Sequence, residues 1–237
     1  FGGNLKAFVS GGGALDREIG EFLNAIGLPT LQGYGLTETS PVVSCNPIHK
    51  IKVETVGPPF KNNEVKIAED GEILVKGENV MLGYWNKKED TKKIIKDGWL
   101  YTGDIGEIDS ESGYLKITDR KKDIIVSAGG DNISPAKIEN QLTNYQAIDQ
   151  CMVYGDGKNY LVALIVTNRE FKEKKEKINE IINKINENLT LVEKIKKFYL
   201  LNENFSIENG LLTPTMKVKR NKVINKYKNI LEKFYKN

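Results

Sequence analysis

An apolar run over residues 5–10 stops at Gly11, Gly12 and Gly13, a pattern that predicts a buried strand ending in a loop. A helix is expected next. Asp16 is placed as its N-cap, Ile19, Phe22, Leu23 and Ile26 recur on one face, and Gly27 with Pro29 ends it. A second strand over residues 30–32 then runs into Gly33-Tyr34-Gly35-Leu36-Thr37-Glu38-Thr39-Ser40-Pro41. Strand, glycine loop, helix, strand, glycine loop is the order of an α/β layer whose strand ends face a ligand.

From residue 53 to 116 the pattern changes to short alternating segments and polar turns. Val65-Lys66-Ile67 and Ile73-Leu74-Val75 flank Glu69-Asp70-Gly71, a hairpin signal. Further strands are expected near Leu100-Tyr101 and over residues 114–118, with turns at Asp97-Gly98 and Ser112-Gly113. A small β-barrel or sandwich fits this spacing. The charged run Asp119-Arg120-Lys121-Lys122-Asp123 lies between two β segments and is the natural domain linker. Beyond it, Ile178, Ile181, Ile182, Ile185, Leu189 and Val192 recur at helical spacing, as do Val223, Ile224, Tyr227, Ile230, Leu231 and Phe234. These stripes are expected to face a sheet. Residues 210–217, between them, show no helical phase.

Composition narrows the class. Of 237 residues, 39% are hydrophobic and 28% charged, which excludes collagenous, disordered and membrane-spanning chains. Cys45 and Cys151 are too few and too far apart for a disulfide framework or a CxxC metal site, so a reducing cytoplasm is expected and structural zinc is not. The net charge of +3 is uneven: residues 168–237 hold 17 Lys and Arg against 9 Asp and Glu, a local +8, which leaves −5 for residues 1–167. Such a basic tail suits an anionic membrane surface met at the periphery. Lys outnumbers Arg 31 to 4 and no basic motif is interleaved with aromatics, so no nucleic-acid partner is expected. The opening Phe1-Gly2-Gly3 has neither an initiator Met nor a signal peptide, and is expected to be a truncation point in a longer protein.

The sole histidine, His49, has no neighbour to orient it, so a histidine-based triad is not expected. Carboxylates, lysines and backbone dipoles are left to carry any chemistry. The loops Ser10-Gly11-Gly12-Gly13 and Gly33-Tyr34-Gly35-Leu36-Thr37-Glu38 suit phosphate, because unhindered N–H groups can converge on oxygens while a Thr adds a donor. Each is equally compatible with a plain turn when taken alone.

In combination they carry more. The ordered segments around Gly33-Tyr34-Gly35-Leu36-Thr37-Glu38, Thr102-Gly103-Asp104, Asp119-Arg120-Lys121-Lys122-Asp123, Gly129-Gly130-Asp131-Asn132-Ile133-Ser134-Pro135 and Thr213-Pro214-Thr215-Met216-Lys217 resemble the motifs of the adenylate-forming (AMP-binding) enzymes. The likeness is greatest to the C-terminal part of bacterial long-chain fatty acyl-CoA synthetases. It implies a partial fold: an α/β segment and a small β-barrel subdomain over residues 1–118, a hinge at 119–123, and a small α+β lid domain over 124–237.

The resemblance also implies roles. Gly12, Gly13, Gly33 and Gly35 would let backbone approach a nucleotide, and Tyr34 would lie against adenine, its alternative being a core tyrosine. Thr37 would bind the α-phosphate and Glu38 would hold Mg²⁺, with an N-cap role open for Thr37 or Thr39. Asp104 would accept from the ribose hydroxyls, and Arg120 would reach ribose or phosphate or else be a solvated charge. Lys122 would be the hinge, and Gly129 and Gly130 would line the channel for the acceptor thiol. Lys217 would bridge substrate carboxylate and α-phosphate during adenylation. The implied substrates are ATP, a fatty acid and coenzyme A, with an acyl carrier protein as the alternative acceptor and a non-catalytic nucleotide-binding relic as the alternative fate.

The Thr-Pro-Thr-Met-Lys loop resembles the terminal lysine loop of the long-chain synthetases, where other relatives more often carry Ser-Gly-Lys. Departures remain: Gly13 and Asp131 stand where alanine and glutamate are commoner, and no Ser/Thr/Gly-rich loop for the β- and γ-phosphates occurs. The 237-residue chain alone is therefore expected to adenylate poorly or not at all, and pyrophosphate release at the rate of an intact enzyme would overturn that expectation.

Overall fold

In the computed structural model, which describes residues 1–171, 174–214 and 216–236, β1 (Phe8–Ser10) and β2 (Thr30–Gly35) pair in parallel, with Phe8 opposite Thr30 and Ser10 opposite Gln32. Parallel strands need a crossover rather than a tight turn, and α1 (Arg17–Ala25) supplies it. Asp16 caps that helix, Oδ1 accepting from the Ile19 amide at 3.0 Å. β3 (Val42–Cys45) returns antiparallel along the other edge of β2.

Two strand limits differ from the sequence pattern. β1 starts only at Phe8, and β2 continues through Gly33, Tyr34 and Gly35 because β3 pairs with them. The apolar stripe of α1 is helical but open. Ile19, Phe22 and Ile26 are 51%, 59% and 53% exposed, and Gly20 is the helix's one buried residue.

β4 (Asn63–Ile67) and β5 (Glu72–Gly77) form the expected hairpin, its turn made by Asp70, whose Oδ1 accepts from the Glu72 amide at 3.1 Å, and Gly71 at φ +82°. After α2 (Lys88–Ile94) and β6 (Ile95–Lys96), Asp97 and Gly98 both take positive φ and turn the chain into β7 (Trp99–Ile108). Positive φ at both central positions is the hairpin turn that matches strand twist. β8 (Leu115–Arg120) pairs antiparallel with β7 and completes a five-stranded sheet. Val43, Val56, Ile73, Val75 and Leu115 fill the core beneath it.

The chain divides into two units, Phe1–Lys122 and Asp123–Asn237. Asp119 and Arg120, expected in the hinge, are the last residues of β8, because the ladder opposite Asp104 and Ile105 extends that far.

The second unit opens with the pair β9 (Ile125–Val126) and β10 (Asn132–Ile133), then α3 (Pro135–Thr143), capped by the Ser134 hydroxyl. β11 (Ile148–Tyr154), β12 (Leu161–Thr167) and β13 (Ile195–Leu201) form a sheet with β12 central, antiparallel to β11 and parallel to β13. Between β12 and β13 runs α4 (Lys175–Glu187). Side chains alternate across a strand, and β12 uses both directions: Leu161, Ala163 and Ile165 enter one core with Ile138, Leu142, Ile178 and Ile182, while Val162, Leu164 and Val166 enter another with Leu211, Leu212, Val223 and Leu231.

The stripe ending at Val192 is buried only as far as Leu189, which lies past the end of α4; Val192 is exposed. The stripe 223–234 breaks at Tyr227 into α5 (Arg220–Lys226) and α6 (Lys228–Lys233). Ile165→Ala, at a position with no solvent exposure, is expected to cost about 2–5 kcal/mol in urea unfolding, whereas Phe22→Ala on the open face of α1 should stay within about 0.5 kcal/mol.

Candidate functional site

Two glycine-bearing segments leave the C-terminal ends of the parallel strands, where ligands of α/β layers bind. After Ser10, Gly12 takes φ +83°, and a side chain at Gly12 or Gly13 would meet nothing within 4 Å, so the loop borders open space. The buried Gln32 pins the far end of that loop: its Oε1 accepts from the Leu15 amide at 3.1 Å and its amide group donates to the Val53 carbonyl.

At the end of β2 the chain folds back so closely that a Cβ on Gly35 would sit 1.7 Å from the Pro41 carbonyl oxygen. The following 3₁₀ turn, Thr37–Thr39, is closed by Thr39. Its fully buried hydroxyl accepts from the Leu36 amide at 2.9 Å and donates to the Pro41 carbonyl at 2.7 Å. Thr39 is thus the structural threonine, and Thr37 stays exposed. Next to it, Glu38 Oε1 accepts from the Tyr84 hydroxyl at 2.7 Å. That hydrogen bond, with burial and the charge of Glu38, pushes the Tyr84 phenol up to about 12, so Tyr84 remains a donor.

Asp104 is buried and engaged at both carboxylate oxygens. Tyr34 donates its hydroxyl to Oδ2 at 2.8 Å, and Arg120 Nε lies 3.1 Å from Oδ1. A bulge aims the carboxylate: β7 takes four steps from Tyr101 to Ile105 while β5 takes two from Leu74 to Glu72, and Gly103 lies at φ +71°. The Thr102 hydroxyl donates to the Ile73 carbonyl at 2.7 Å. The buried Glu72 accepts from the Gly103 amide at 2.8 Å and from Lys121 Nζ at 2.8 Å. Lys121 also donates to Asp70, and both bonds raise its ammonium above the ordinary lysine range.

Tyr34 is only 7% exposed and belongs to the core of the first unit. Burial, then the charge of Asp104, holds its phenol well above its usual value. The ring therefore leaves little face for a base, and its visible action is to orient Asp104. Arg120 is an ion-pair partner rather than a solvated charge.

In the second unit, Lys217 is exposed on a closed loop. Its amide donates to Thr213 Oγ1 at 3.0 Å, its carbonyl accepts from the Thr213 amide at 2.8 Å, and Leu212 bridges Val218. Thr215 lies outside the described residues. Gly129 lines a cavity of about 180 Å³ with Ser127, Asp131, Lys158, Tyr160 and Leu161; Gly130 is exposed beside it at φ +90°. Lys122 is exposed and is the last residue of the first unit.

Gln32, Glu72 and Tyr84 have no role assigned by the sequence pattern; Gln32 and Glu72 sit beside glycine-containing segments that the pattern marks, and Tyr84 lies in a stretch it does not. Among the described residues no three His, Cys, Asp or Glu side chains converge as a metal cage. Glu38, a single carboxylate beside the exposed Thr37, instead fits Mg²⁺ held jointly by protein and phosphate oxygens.

Residues 1–85 match the family described as AMP-binding enzyme, and residues 122–237 match the AMP-binding enzyme C-terminal domain. The chain belongs to the AMP-binding, adenylate-forming enzymes. Its adenylate-forming relatives include the long-chain-fatty-acid–CoA ligase FadD15 of Mycobacterium bovis, 40% identical over 256 residues, covering 99% of this chain and 42% of that protein. The chloroplastic long-chain-fatty-acid–acyl-carrier-protein ligase AEE15 of Arabidopsis thaliana is 33% identical, covering 98% and 36%. Among solved structures, the o-succinylbenzoate CoA synthetase of Bacillus subtilis in complex with its acyl-adenylate intermediate superposes with a TM-score of 0.79 at 29% identity, covering 92% of this chain and 46% of that one. The chain spans about two fifths of the length of the curated relatives it matches.

Tyr34→Phe removes a donor from a buried carboxylate and is expected to cost about 1–3 kcal/mol, read as a lowered urea midpoint at unchanged slope.

Proposed function

We propose that the protein activates a long-chain fatty acid as an acyl-adenylate and transfers the acyl group to the thiol of coenzyme A. The observation that carries this reading is the Tyr34–Asp104–Arg120 network, which fixes a carboxylate on the strand next to open glycine backbone. A carboxylate accepts through two oxygens, the pairing that two ribose hydroxyls require. Gly12 and Gly13, where a side chain would enter open space, keep side chains away from the nucleotide, Gly33 and Gly35 let the chain fold back closely beside it, and Thr37 donates to the α-phosphate. Glu38, oriented by Tyr84, would hold Mg²⁺, whose charge neutralises that of the phosphates.

In the first half-reaction an oxygen of the fatty acid attacks the α-phosphorus and the bond to pyrophosphate breaks. Lys217 stabilises the negative charge that builds between carboxylate and phosphate; a fixed cation there favours the transition state over the ground state. In the second, the thiol attacks the acyl carbon and AMP leaves. For this step the second unit turns about Lys122, withdraws Lys217 and presents Gly129 and Gly130 beside the cavity as the thiol path. The long-chain preference is supported by the name of the FadD15 relative, and the acyl-carrier-protein ligase among the relatives favours a carrier-protein thiol as the second acceptor.

Pyrophosphate release by the full-length protein, measured across carboxylates of increasing chain length, should be greatest with long-chain acids. Thioester formation with coenzyme A and with acyl carrier protein identifies the acceptor. Lys217→Ala should lower acyl-adenylate formation about 100- to 1,000-fold while thioester formation from supplied acyl-adenylate persists. Undiminished adenylation by that variant would refute the assignment.

A further inference from the structure

We propose that the Glu139–Arg220 pair is the positioning device of Lys217, locking its loop to the body of the second unit for the adenylation half-reaction; this rests on the catalytic role given to Lys217 above. A lysine side chain has four rotatable bonds and much conformational freedom. Its accuracy must therefore come from the backbone that presents it.

That backbone is held at both ends. On the N-terminal side, Leu211 and Leu212 are buried in the core that Leu164 and Val166 share. The Lys219 amide donates to the Leu211 carbonyl at 2.8 Å, so the loop is closed at its neck. On the C-terminal side, α5 begins at Arg220 with no side-chain cap, and Arg220 itself supplies the attachment. Its Nη1 donates to Glu139 Oε1 at 2.6 Å, and its Nη2 donates to the Val153 carbonyl.

The receiving surface is ordered as well. β11 is the edge strand of its sheet, and edge strands carry unpaired backbone groups. The Val153 amide donates to Glu139 Oε1 at 2.7 Å, so Glu139 and Arg220 complete both polar groups of that residue. The two side chains are only 19% and 14% exposed, and a guanidinium forks across carboxylate and carbonyl in a way an ammonium cannot reproduce. A partly buried ion pair is weak evidence for net stability. What this one uniquely supplies is registry: it fixes a residue three positions from Lys217 against α3 and β11.

The test separates the two half-reactions in the full-length protein: pyrophosphate release from fatty acid and ATP, and thioester formation from supplied acyl-adenylate and coenzyme A. Arg220→Ala should lower kcat of the first about 10- to 100-fold and leave the second within about twofold, because a misplacement near 1 Å costs on that scale. Glu139→Gln, which keeps an acceptor for the Val153 amide but removes the charge, should show the same selective loss to a smaller degree, and it decides the matter if the arginine variant does not fold. Arg220→Lys should restore only part of the rate. Equal loss in both half-reactions, or no loss in either, overturns the positioning role. Lys217→Ala run in parallel keeps the cases distinct: if it adenylates normally the catalytic assignment has failed, and if it is impaired while the clamp variants are not, only this inference has.

Discussion

A carboxylate taken out of water must be answered by donors, and the first unit is arranged around that requirement at Asp104. The hydroxyl that answers it comes from β2 and the guanidinium from the end of β8, so one side chain ties the parallel α/β layer to the antiparallel sheet. The bulge that aims it is held in turn by Glu72, whose own burial is answered by Gly103 and Lys121. These bonds run to Lys121, and the next residue is the last of the unit.

What was legible in the sequence is what depends on near neighbours. The Asp16 cap, the Asp70-Gly71 and Asp97-Gly98 turns and the Ile178 to Ile185 stripe follow from residues a few positions apart, and the structure has all of them. Partners distant in sequence were not legible. Nothing local says that Tyr84 meets Glu38, 46 residues away, or that Tyr34 meets Asp104, 70 away. Tyr34 shows the difficulty well: an aromatic in a glycine segment suits a ligand face or a core, and the structure buries the ring in the core of the first unit while its hydroxyl reaches Asp104. The continuous stripe at 223–234 hid a break at Tyr227, whose backbone leaves the helical region at φ −103°, ψ 16°, while its hydroxyl donates to Glu203 at 2.8 Å.

The abundance of lysine has a physical use besides charge. Lys66 stands 4.0 Å over the ring of Trp99 and Lys96 4.8 Å over Tyr101, and in the second unit Lys197 lies 5.6 Å from the centre of Tyr160. Long aliphatic stems shield apolar surface while ammonium groups rest on ring faces. Some of the basic character is spread over such places on both units.

The two-sided use of β12 limits how such a chain can vary in length. Its adjacent residues belong to opposite cores, and a one-residue slip in a strand sends each side chain to the other face. A single insertion within Leu161–Thr167 would set small Ala163 against the space shaped for leucine and mismatch both packings together. Gain or loss of residues is tolerable in the connections on either side, and the strand itself acts as a fixed ruler between them.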